Sequence, residues 1–153
     1  GASKVSEILS IGKKEATRTL DGFVKSYPGL VRLKDTVIPR DAARGFFVGV
    51  DGRLVLNSSE HHMIGMYLQN AEAVLMKHAN VKWRSDLDKL GIKYKQVNLV
   101  HDEFVTEVYG DEETARLVGS IQNDSIKWVG EKFGLNCPLA GEYKVGKNWL
   151  DVH

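Results

Sequence analysis

The sequence predicts an α+β fold in which helices pack against antiparallel strands. Its 153 residues are enough for one globular domain, and a composition of 42% hydrophobic and 27% charged residues is ordinary for a folded protein. The predicted elements follow the order ααββααββαβ, in which strands come in adjacent pairs. A parallel α/β sheet needs strands and helices to alternate regularly, so antiparallel strands covered by helices are favoured.

The first 40 residues predict two helices. Apolar side chains recur at spacings of three and four over residues 3–27, which predicts one amphipathic helix with basic residues on its remaining surface. Pro28-Gly29 ends this helix, because proline cannot donate to the helical hydrogen-bond ladder. A short second helix is predicted over residues 30–38, stopping near Pro39.

The middle of the chain predicts a hairpin followed by helices. Asp51-Gly52 lies between two apolar runs, which is a strong signal for a hairpin over residues 45–57. Asn57-Ser58-Ser59 then offers N-cap side chains to a helix over residues 60–79. Another helix is predicted over residues 82–90, where the glycine that follows ends it.

The last third predicts a second hairpin, a helix and a strand. Two β-rich runs over residues 95–109 are interrupted by His101-Asp102-Glu103, which places these ionisable residues at or near a hairpin tip. Asp111 opens a helix with acidic residues in its first turn, which favours the helix dipole, and Gly134 ends it. Pro138 to Trp149 predicts one final strand.

The charge of the chain is unevenly distributed. Residues 1–40 carry eight Lys or Arg and four Asp or Glu, whereas residues 101–153 carry five and ten, within a formal net charge of +1. Such asymmetry can mark a surface that binds nucleic acid. The alternative is that these charges are simply solvated helix faces.

The sequence favours a reducing compartment and shows no membrane segment. Cys137 is the one cysteine, so an internal disulfide is excluded. No run approaches the ~20 apolar residues of a membrane helix, so no membrane partner is expected. Gly1-Ala2-Ser3 lacks the basic and apolar regions of a signal peptide, and we expect it to be a processed, tagged or cut start of something larger.

Three adjacent ionisable residues form the main candidate site. Mg²⁺ prefers carboxylate oxygens, so Asp102 and Glu103 are candidate metal ligands. Neighbouring side chains of a regular strand point to opposite faces. The two carboxylates therefore converge on one ion only if the backbone turns between them; otherwise one binds the ion and the other helps to shape its site. The alternative is an ordinary solvated turn.

Two further polar side chains are candidate ligand contacts. Gln69 lies within the apolar stripe of a predicted helix, where a buried amide must find hydrogen-bond partners on a ligand or on neighbouring backbone. Arg53 follows the first hairpin turn, where a guanidinium could contact phosphate or base edges. The alternative is an ordinary exposed arginine of a hairpin. His61-His62 lack zinc-binding spacing, and Cys137 lacks the surroundings of a nucleophile.

Four stretches of the chain carry motifs in a distinctive order. They are Gly49-Val50-Asp51-Gly52-Arg53; Leu68-Gln69-Asn70-Ala71, continuing through Ala73 and Leu75-Met76-Lys77; Val100-His101-Asp102-Glu103; and Pro138-Leu139 with Val145-Gly146-Lys147-Asn148-Trp149. In this order they resemble family A DNA polymerases, the DNA polymerase I-like enzymes, and most of all the bacteriophage replicative branch. The likeness is to the family's Gly-Arg hairpin, its Q-(G/S)-x-A-x-x-L-x-K helix, its VHDE motif C and its G-x-x-W ending. Lys13 to Pro28-Gly29 is a weaker match to the segment after the fingers helix, so the resemblance covers essentially the whole chain.

The resemblance implies two-metal nucleotidyl transfer in a palm subdomain. Two Mg²⁺ ions would activate the primer 3′-OH and stabilise the leaving pyrophosphate. Asp102 would be the motif C metal ligand, Glu103 the nearby second carboxylate, and His101 would help to hold the primer terminus. Gln69 would bond the minor-groove edge near the nascent pair, and Arg53 would face the duplex.

The resemblance also implies a division of the chain and a set of partners. Residues 1–40 would be the helical segment that follows the fingers helix, and residues 41–153 the palm subdomain with motif C. Primer-template DNA and dNTP would bind the complete enzyme. Its process would be DNA replication, and its location the cytoplasm of a bacterial host cell if the source is a phage or a bacterium.

Three departures from the family limit what this chain can do alone. Gly65 stands four residues before Gln69, where the family usually has Asn. Motif A, with the first metal-binding Asp, has no counterpart, because Asp21, Asp41 and Asp51 are in the wrong context. The fingers helix that binds dNTP is also absent. We therefore predict that the isolated chain has no polymerase activity, and we expect it to be the C-terminal palm portion of a polymerase, either cut or naturally split.

Three hypotheses follow for the function. The chain is a polymerase portion that supplies motif C to a missing N-terminal portion; or it is a non-catalytic palm-derived module that binds duplex DNA or a partner; or it is an unrelated α+β domain whose acidic turn is only a turn. Complementation separates the first two. A half-domain is also expected to leave apolar surface uncovered and to self-associate.

Overall fold

The computed structural model describes residues 1–57 and 59–153 of the chain. The elements in chain order are α1 (Ala2–Leu9), α2 (Lys13–Lys25), α3 (Pro28–Arg32), a π-helical turn (Leu33–Val37), α4 (Ile38–Arg44), β1 (Phe46–Val48), β2 (Leu54–Leu56), α5 (Glu60–Lys89), β3 (Tyr94–Val100), β4 (Glu103–Val108), α6 (Glu112–Lys132) and α7 (Trp149–Val152). They form two compact units: a first unit of Gly1–Val48 and Arg53–Tyr67, and a second unit of Gly49–Gly52 and Leu68–His153. The predicted boundary between residues 40 and 41 concerns polymerase subdomains and stays a prediction.

The single helix predicted over residues 3–27 is wrong, because the chain forms α1 and α2 there. Ser10 adopts a left-handed conformation with φ 52°, which ends α1, and its N–H bonds the carbonyl of Glu7 at 3.4 Å. Gly12 is extended and caps the start of α2. The apolar period continues across this break, so the periodicity alone did not reveal it.

The helix end predicted near Pro39 is also wrong. Pro39 lies in the first turn of α4, where a missing N–H leaves no helical hydrogen bond unmade. The helix runs on to Gly45, whose φ of 78° is left-handed and whose N–H bonds the carbonyl of Ala42 at 3.0 Å. Pro39 therefore lies just after the π-helical turn within a continuous helical run and does not end it.

The core of the first unit forms between α4, the first hairpin and the start of α5. It is made of buried Ile38, Ala42, Phe47 and Met63, with Leu33, Val55, Met66 and Tyr67 packed against them. The predicted hairpin is confirmed, with Phe47 opposite Val55 in an antiparallel pair. On its other face Val48, Leu54 and Leu56 stay 54–81% exposed. Self-association through such a surface stays a prediction.

One carboxylate is buried in the first unit. Asp41 is only 3% exposed; its Oδ2 accepts from the Tyr67 hydroxyl, and its Oδ1 accepts from Arg40 Nε at 2.8 Å and lies 4.0 Å from Arg44. Burial alone would raise the pKa of Asp41, but the bonds from Tyr67 and Arg40 and the charges of both arginines outweigh it and hold that pKa below its ordinary value. Burial and the bond to Asp41 raise the pKa of Tyr67 to about 12.

A single helix, α5, replaces the two helices predicted over residues 60–90. No glycine or proline stands between Gly65 and Gly91, so nothing in the backbone interrupts the helix. Its end at Gly91 is confirmed, with φ 67° and a bond from the Gly91 N–H to the Asp88 carbonyl at 3.1 Å. Of the predicted cap residues, Asn57 accepts from the Ser59 N–H at 2.8 Å, and Ser58 lies outside the described residues.

The core of the second unit packs the second hairpin against α5 and α6. Trp83 and Leu87 of α5 and Val118 of α6 are buried, and hairpin side chains close over them. The Trp83 ring meets Tyr94 at 5.3 Å and Phe104 at 5.8 Å between centroids. A fully buried indole with two aromatic neighbours stabilises the hairpin through the apolar area it buries and through favourable tilted and edge-on ring contacts.

The predicted start and end of α6 are confirmed. Asp111 is its N-cap, and its Oδ1 accepts from the Thr114 N–H at 2.8 Å and from the Thr114 hydroxyl at 2.6 Å. The hydroxyl and then the N–H of Thr114 hold the pKa of Asp111 below its ordinary value. The helix stops just before Gly134, whose φ is 62°.

The strand predicted over Pro138 to Trp149 is wrong. The segment lies extended along α6 without pairing to a strand, and α7 follows it. Glycines of α6 admit it: a Cβ at Gly130 would lie 3.1 Å from Leu139 Cγ, and a Cβ at Gly119 would lie 2.4 Å from Tyr143 Cδ2. The alternation of apolar residues in this segment reflects packing on a helix.

The α+β class with antiparallel strands is confirmed, and the strands of the described residues form two two-stranded hairpins. None of the described helices is both long enough and apolar enough to cross a membrane.

Candidate functional site

The main candidate site lies on the tight turn of the second hairpin. Val100 of β3 pairs with Glu103 of β4, so His101 and Asp102 are the two turn residues. His101 has φ 50°, the positive region that two-residue hairpin turns use at their first central position. The backbone therefore reverses just before Glu103. His101, Asp102 and Glu103 are all exposed at this end of the hairpin.

The opposite face of β4 anchors the turn. Phe104 follows Glu103 and packs against buried Trp83, and the Thr106 hydroxyl accepts from Gln122 Nε2 of α6 at 2.9 Å. Because side chains alternate along a strand, Phe104 and Thr106 face the core while Glu103 faces away from it. The carboxylates thus sit on a turn whose supporting strand is fixed on α5 and α6.

One residue near the turn was missed by sequence reasoning. His153 Nε2 lies 2.8 Å from Glu103 Oε1, so the imidazole donates to the carboxylate. The His153 ring stacks on Trp149 with centroids 3.9 Å apart and planes at 8°. The available signal was the spacing of these two rings, since residues four apart face the same side of a helix.

The acidic turn fits part of a magnesium site. Mg²⁺ is commonly held by one or two carboxylates, with waters and substrate phosphates completing the octahedron. Asp102 and Glu103 supply two exposed carboxylates of this kind. In residues 1–57 and 59–153 there is no group of three or more His, Cys, Asp or Glu side chains placed to hold a metal. The two carboxylates present fit the number that Mg²⁺ commonly takes from a protein.

Gln69 is exposed on α5, so the expectation that its amide is buried is wrong. The buried amide oxygen belongs to its neighbour, because helix rotation turns Asn70 inward. Asn70 Oδ1 is inaccessible and has no hydrogen-bond partner among the described residues, and a Cβ at Gly49 would lie 2.5 Å from it. The exposure of Gln69 leaves its amide open to a ligand.

The remaining candidates are placed as follows. Arg53 is exposed in the first unit, just before β2, after a turn in which the Gly52 N–H bonds the Gly49 carbonyl at 2.9 Å. Gln69 and the acidic turn belong to the second unit. His61 and His62 are exposed at the start of α5, and Cys137 is a free, exposed thiol.

Comparison with known proteins gives one consistent answer. The family model of DNA polymerase family A matches residues 1–151. The chain is 25% identical to the DNA-directed DNA polymerase of Enterobacteria phage T3, over all of this chain and 24% of that protein. It is 27% identical to the DNA-directed DNA polymerase of Escherichia phage Phieco32, over all of this chain and 26% of that protein.

The fold has a counterpart among solved structures. The POL domain of Pol1 from M. smegmatis, solved in complex with DNA primer-template and dNTP, superimposes with a TM-score of 0.66 at 19% identity, over 82% of this chain and 24% of that one. The chain spans about a quarter of the length of the two phage polymerases. With the family model matching all but its last two residues, this chain belongs to DNA polymerase family A.

Proposed function

We propose that this chain supplies the palm portion carrying motif C to a DNA-directed DNA polymerase that acts in DNA replication. The observation that carries the proposal is the acidic turn: His101-Asp102-Glu103 lies exposed on a tight turn, within a chain that matches family A polymerases along its length. An ordinary solvated turn explains the exposure but not the occurrence of the turn within the ordered family motifs.

In this proposal the carboxylates hold Mg²⁺. Asp102 is a metal ligand, and Glu103, at the start of β4, is the second carboxylate that shapes the site. Two Mg²⁺ ions held there would supply the chemistry that activates the primer 3′-OH and stabilises the leaving pyrophosphate. The packing of Phe104 on Trp83 holds the strand that carries the turn against the core, which fixes the backbone at Glu103.

The DNA contacts in this proposal come from three side chains. His101 helps to hold the primer terminus beside the carboxylates. Gln69 donates to minor-groove acceptors that all base pairs share, so it senses pair geometry rather than sequence. Arg53 contacts the duplex, where a guanidinium suits phosphate. The solved complex of the M. smegmatis POL domain contains DNA primer-template and dNTP, which supports these partners for the complete enzyme.

Catalysis by this chain alone is not part of the proposal. Without motif A and the fingers helix, one pair of carboxylates leaves a metal-bound triphosphate under-coordinated. A further polymerase portion must supply the first Asp and the dNTP-binding side chains. If the source is a phage or a bacterium, as for the matched relatives named here, the location we propose is the cytoplasm of the bacterial cell.

Complementation tests the proposal. Primer extension is measured with this chain, with an N-terminal polymerase portion that carries motif A, and with both together. We expect activity only in the mixture, its loss with Asp102→Ala, and its retention with Asp124→Ala, a matched exposed carboxylate on α6. A stable complex that extends no primer would contradict the proposal.

A second candidate function is a non-catalytic module that binds duplex DNA. The excess of basic residues within residues 1–40 favours it. In this case the chain alone binds a DNA duplex, with an affinity that falls as salt rises, and Asp102→Ala leaves that binding unchanged. Fluorescence anisotropy of a labelled duplex, read beside the complementation assay, separates the two functions.

A further inference from the structure

The carboxylate of Glu103 is held from outside its own hairpin. Its Oε1 lies 2.8 Å from His153 Nε2, and both side chains are only partly exposed, Glu103 by 49% and His153 by 33%. His153 follows α7, a four-residue helix that contributes no buried residue to the core. The position of α7 is therefore not explained by core burial, and the residue that follows it contacts a candidate metal ligand.

The conformation of α7 is fixed by a compact set of hydrogen bonds. Asn148 Oδ1 accepts from the N–H groups of Leu150 at 3.0 Å and Asp151 at 3.3 Å. Asp151 Oδ2 accepts in turn from the Lys147 N–H at 2.8 Å and from Asn148 Nδ2 at 3.0 Å. Asn148 thus satisfies two free N–H groups of the first turn, and the bonds to Asp151 close the turn around it, which defines a helix too short to be stable alone.

The orientation of the His153 ring is fixed as well. Trp149 lies one turn earlier and stacks on one face of the ring with planes only 8° apart, and the ring edge with Nε2 meets Glu103. Trp149 is 55% exposed, so the stack contributes orientation more than core burial.

The segment before α7 is guided along α6. Its contacts run backwards along that helix, from Leu139 at Gly130 to Gly141 at Asn123 and Tyr143 at Gly119. The extended segment therefore returns antiparallel to α6. The glycine at 119 lets the Tyr143 ring lie directly on the helix backbone.

We propose that His153 is a positioning residue for Glu103, oriented by Trp149 and delivered by the segment on α6. The imidazole engages Oε1 and restricts the rotamers of the carboxylate, while Oε2 faces no partner among the described residues and can meet a cation. Hydrogen bonds of this kind orient metal-binding carboxylates, and removing such partners typically weakens metal affinity about 10- to 100-fold. The inference rests on the proposed function for its consequence, metal binding, but not for the contact itself.

The test uses the full 153-residue chain and two measurements. Without metal, NMR reports the Glu103 side-chain rotamers and the nuclear Overhauser effects between its methylene protons and the His153 ring. With Mn²⁺ as the probe, paramagnetic broadening of the Asp102 and Glu103 amide signals gives a binding midpoint. The variants are His153→Ala, His153→Gln, which keeps an N–H donor, and the control His62→Ala, which removes an exposed histidine of the first unit.

We expect one dominant Glu103 rotamer in the unmodified chain and averaging in His153→Ala. The Mn²⁺ midpoint should rise at least about tenfold in His153→Ala and recover substantially in His153→Gln, while His62→Ala changes neither. Equal Glu103 averaging in the unmodified chain and His153→Ala would overturn the inference. Equal Mn²⁺ midpoints with an intact contact would overturn its metal-binding consequence. If Mn²⁺ broadens no signal near the turn in any variant, the proposed metal site fails, and with it this consequence, whereas the contact is still decided by the metal-free measurement.

Discussion

Replacing Asp41 with alanine should strongly destabilise the first unit. The substitution removes a carboxylate that is 4% exposed and that three side chains meet: the Tyr67 hydroxyl and the guanidinium groups of Arg40 and Arg44. A hydrogen bond to a charged group contributes about 1.5–3 kcal/mol. The arginines are 57% and 55% exposed, so each pairing adds at most about 1 kcal/mol.

These terms predict a loss of about 3 kcal/mol for Asp41→Ala, at the lower end of the cost of breaking a buried ion pair. Tyr67→Phe removes only the hydroxyl bond and should cost about 1.5–2 kcal/mol. The double variant should lose less than the sum of the two, because both remove the same bond. Asp21→Ala, at an exposed carboxylate of α2, should stay within about 0.5 kcal/mol of the unmodified chain.

Urea unfolding followed by circular dichroism measures these differences. The pKa of Asp41 lies below its ordinary 3.8 in the fold, so its contribution is fully present above pH 3.8 and is lost as pH falls through the folded pKa. The gap between the unmodified chain and Asp41→Ala should therefore be constant near neutral pH and close in acid. If Asp41→Ala were as stable as Asp21→Ala at pH 7, the reasoning about this cluster would be refuted.

Three further predictions rest on other parts of the chain. His101→Val should have a free energy of unfolding about 1 kcal/mol lower than His101→Asn, because asparagine tolerates the positive φ at this position and a β-branched residue does not. Equal urea midpoints for the two variants would argue against a left-handed His101. Gly119→Ala should lower the free energy of unfolding by about 1–3 kcal/mol, because the new Cβ displaces Tyr143. At Gly22 a Cβ meets nothing within 4 Å, so Gly22→Ala should stabilise α2 by about 0.5–1 kcal/mol. If calorimetry gave both variants a stability change of the same sign, the packing of the segment on α6 would be contradicted. Tyr67 should ionise near pH 12 in an ultraviolet titration of the folded chain. The stability that its hydroxyl contributes is therefore complete below pH 10 and is lost as pH rises through 12. Ionisation of every tyrosine by pH 11 in the folded chain would contradict this prediction.

The hairpins and helix ends were predictable because local chemistry determines them. Asp51-Gly52 between apolar runs predicts a tight turn, and Gly91 and Gly134 end helices through their left-handed conformations. Asp111 was predictable as a helix start because acidic residues favour the first turn of a helix, and its carboxylate accepts from the Thr114 N–H there. These features depend on a few neighbouring residues and little on the rest of the fold.

The errors arose where tertiary packing or an uncommon backbone conformation decides the structure. Ser10 adopts positive φ without being glycine, so the residue type at this position did not predict the break after α1. Pro39 lies within a continuous helical run just after a π-helical turn, and the proline alone does not predict that turn. The segment of residues 138–147 alternates like a strand but packs on α6, because no strand edge pairs with it among the described residues.

The residues of the candidate site likewise divide into those that local sequence reveals and those that depend on tertiary structure. Asp102 and Glu103 were found because an acidic tip between two β-rich runs is visible in the sequence. His153 was missed because its contact with Glu103 joins residues 50 positions apart and depends on the path of the intervening chain. Gln69 was placed on the right helix but on the wrong face, an error of one residue in the helical phase.

The central claim is that Asp102 provides a metal-binding carboxylate to a polymerase active site. The most direct measurement is single-nucleotide incorporation by this chain with its completing polymerase portion, comparing Asp102 with the isosteric Asp102→Asn at saturating Mg²⁺. We predict a rate reduced at least about 100-fold with the complex still formed, because charge is lost where the transition state needs it. An Asp102→Asn complex that incorporates nucleotides at the unmodified rate would contradict the account.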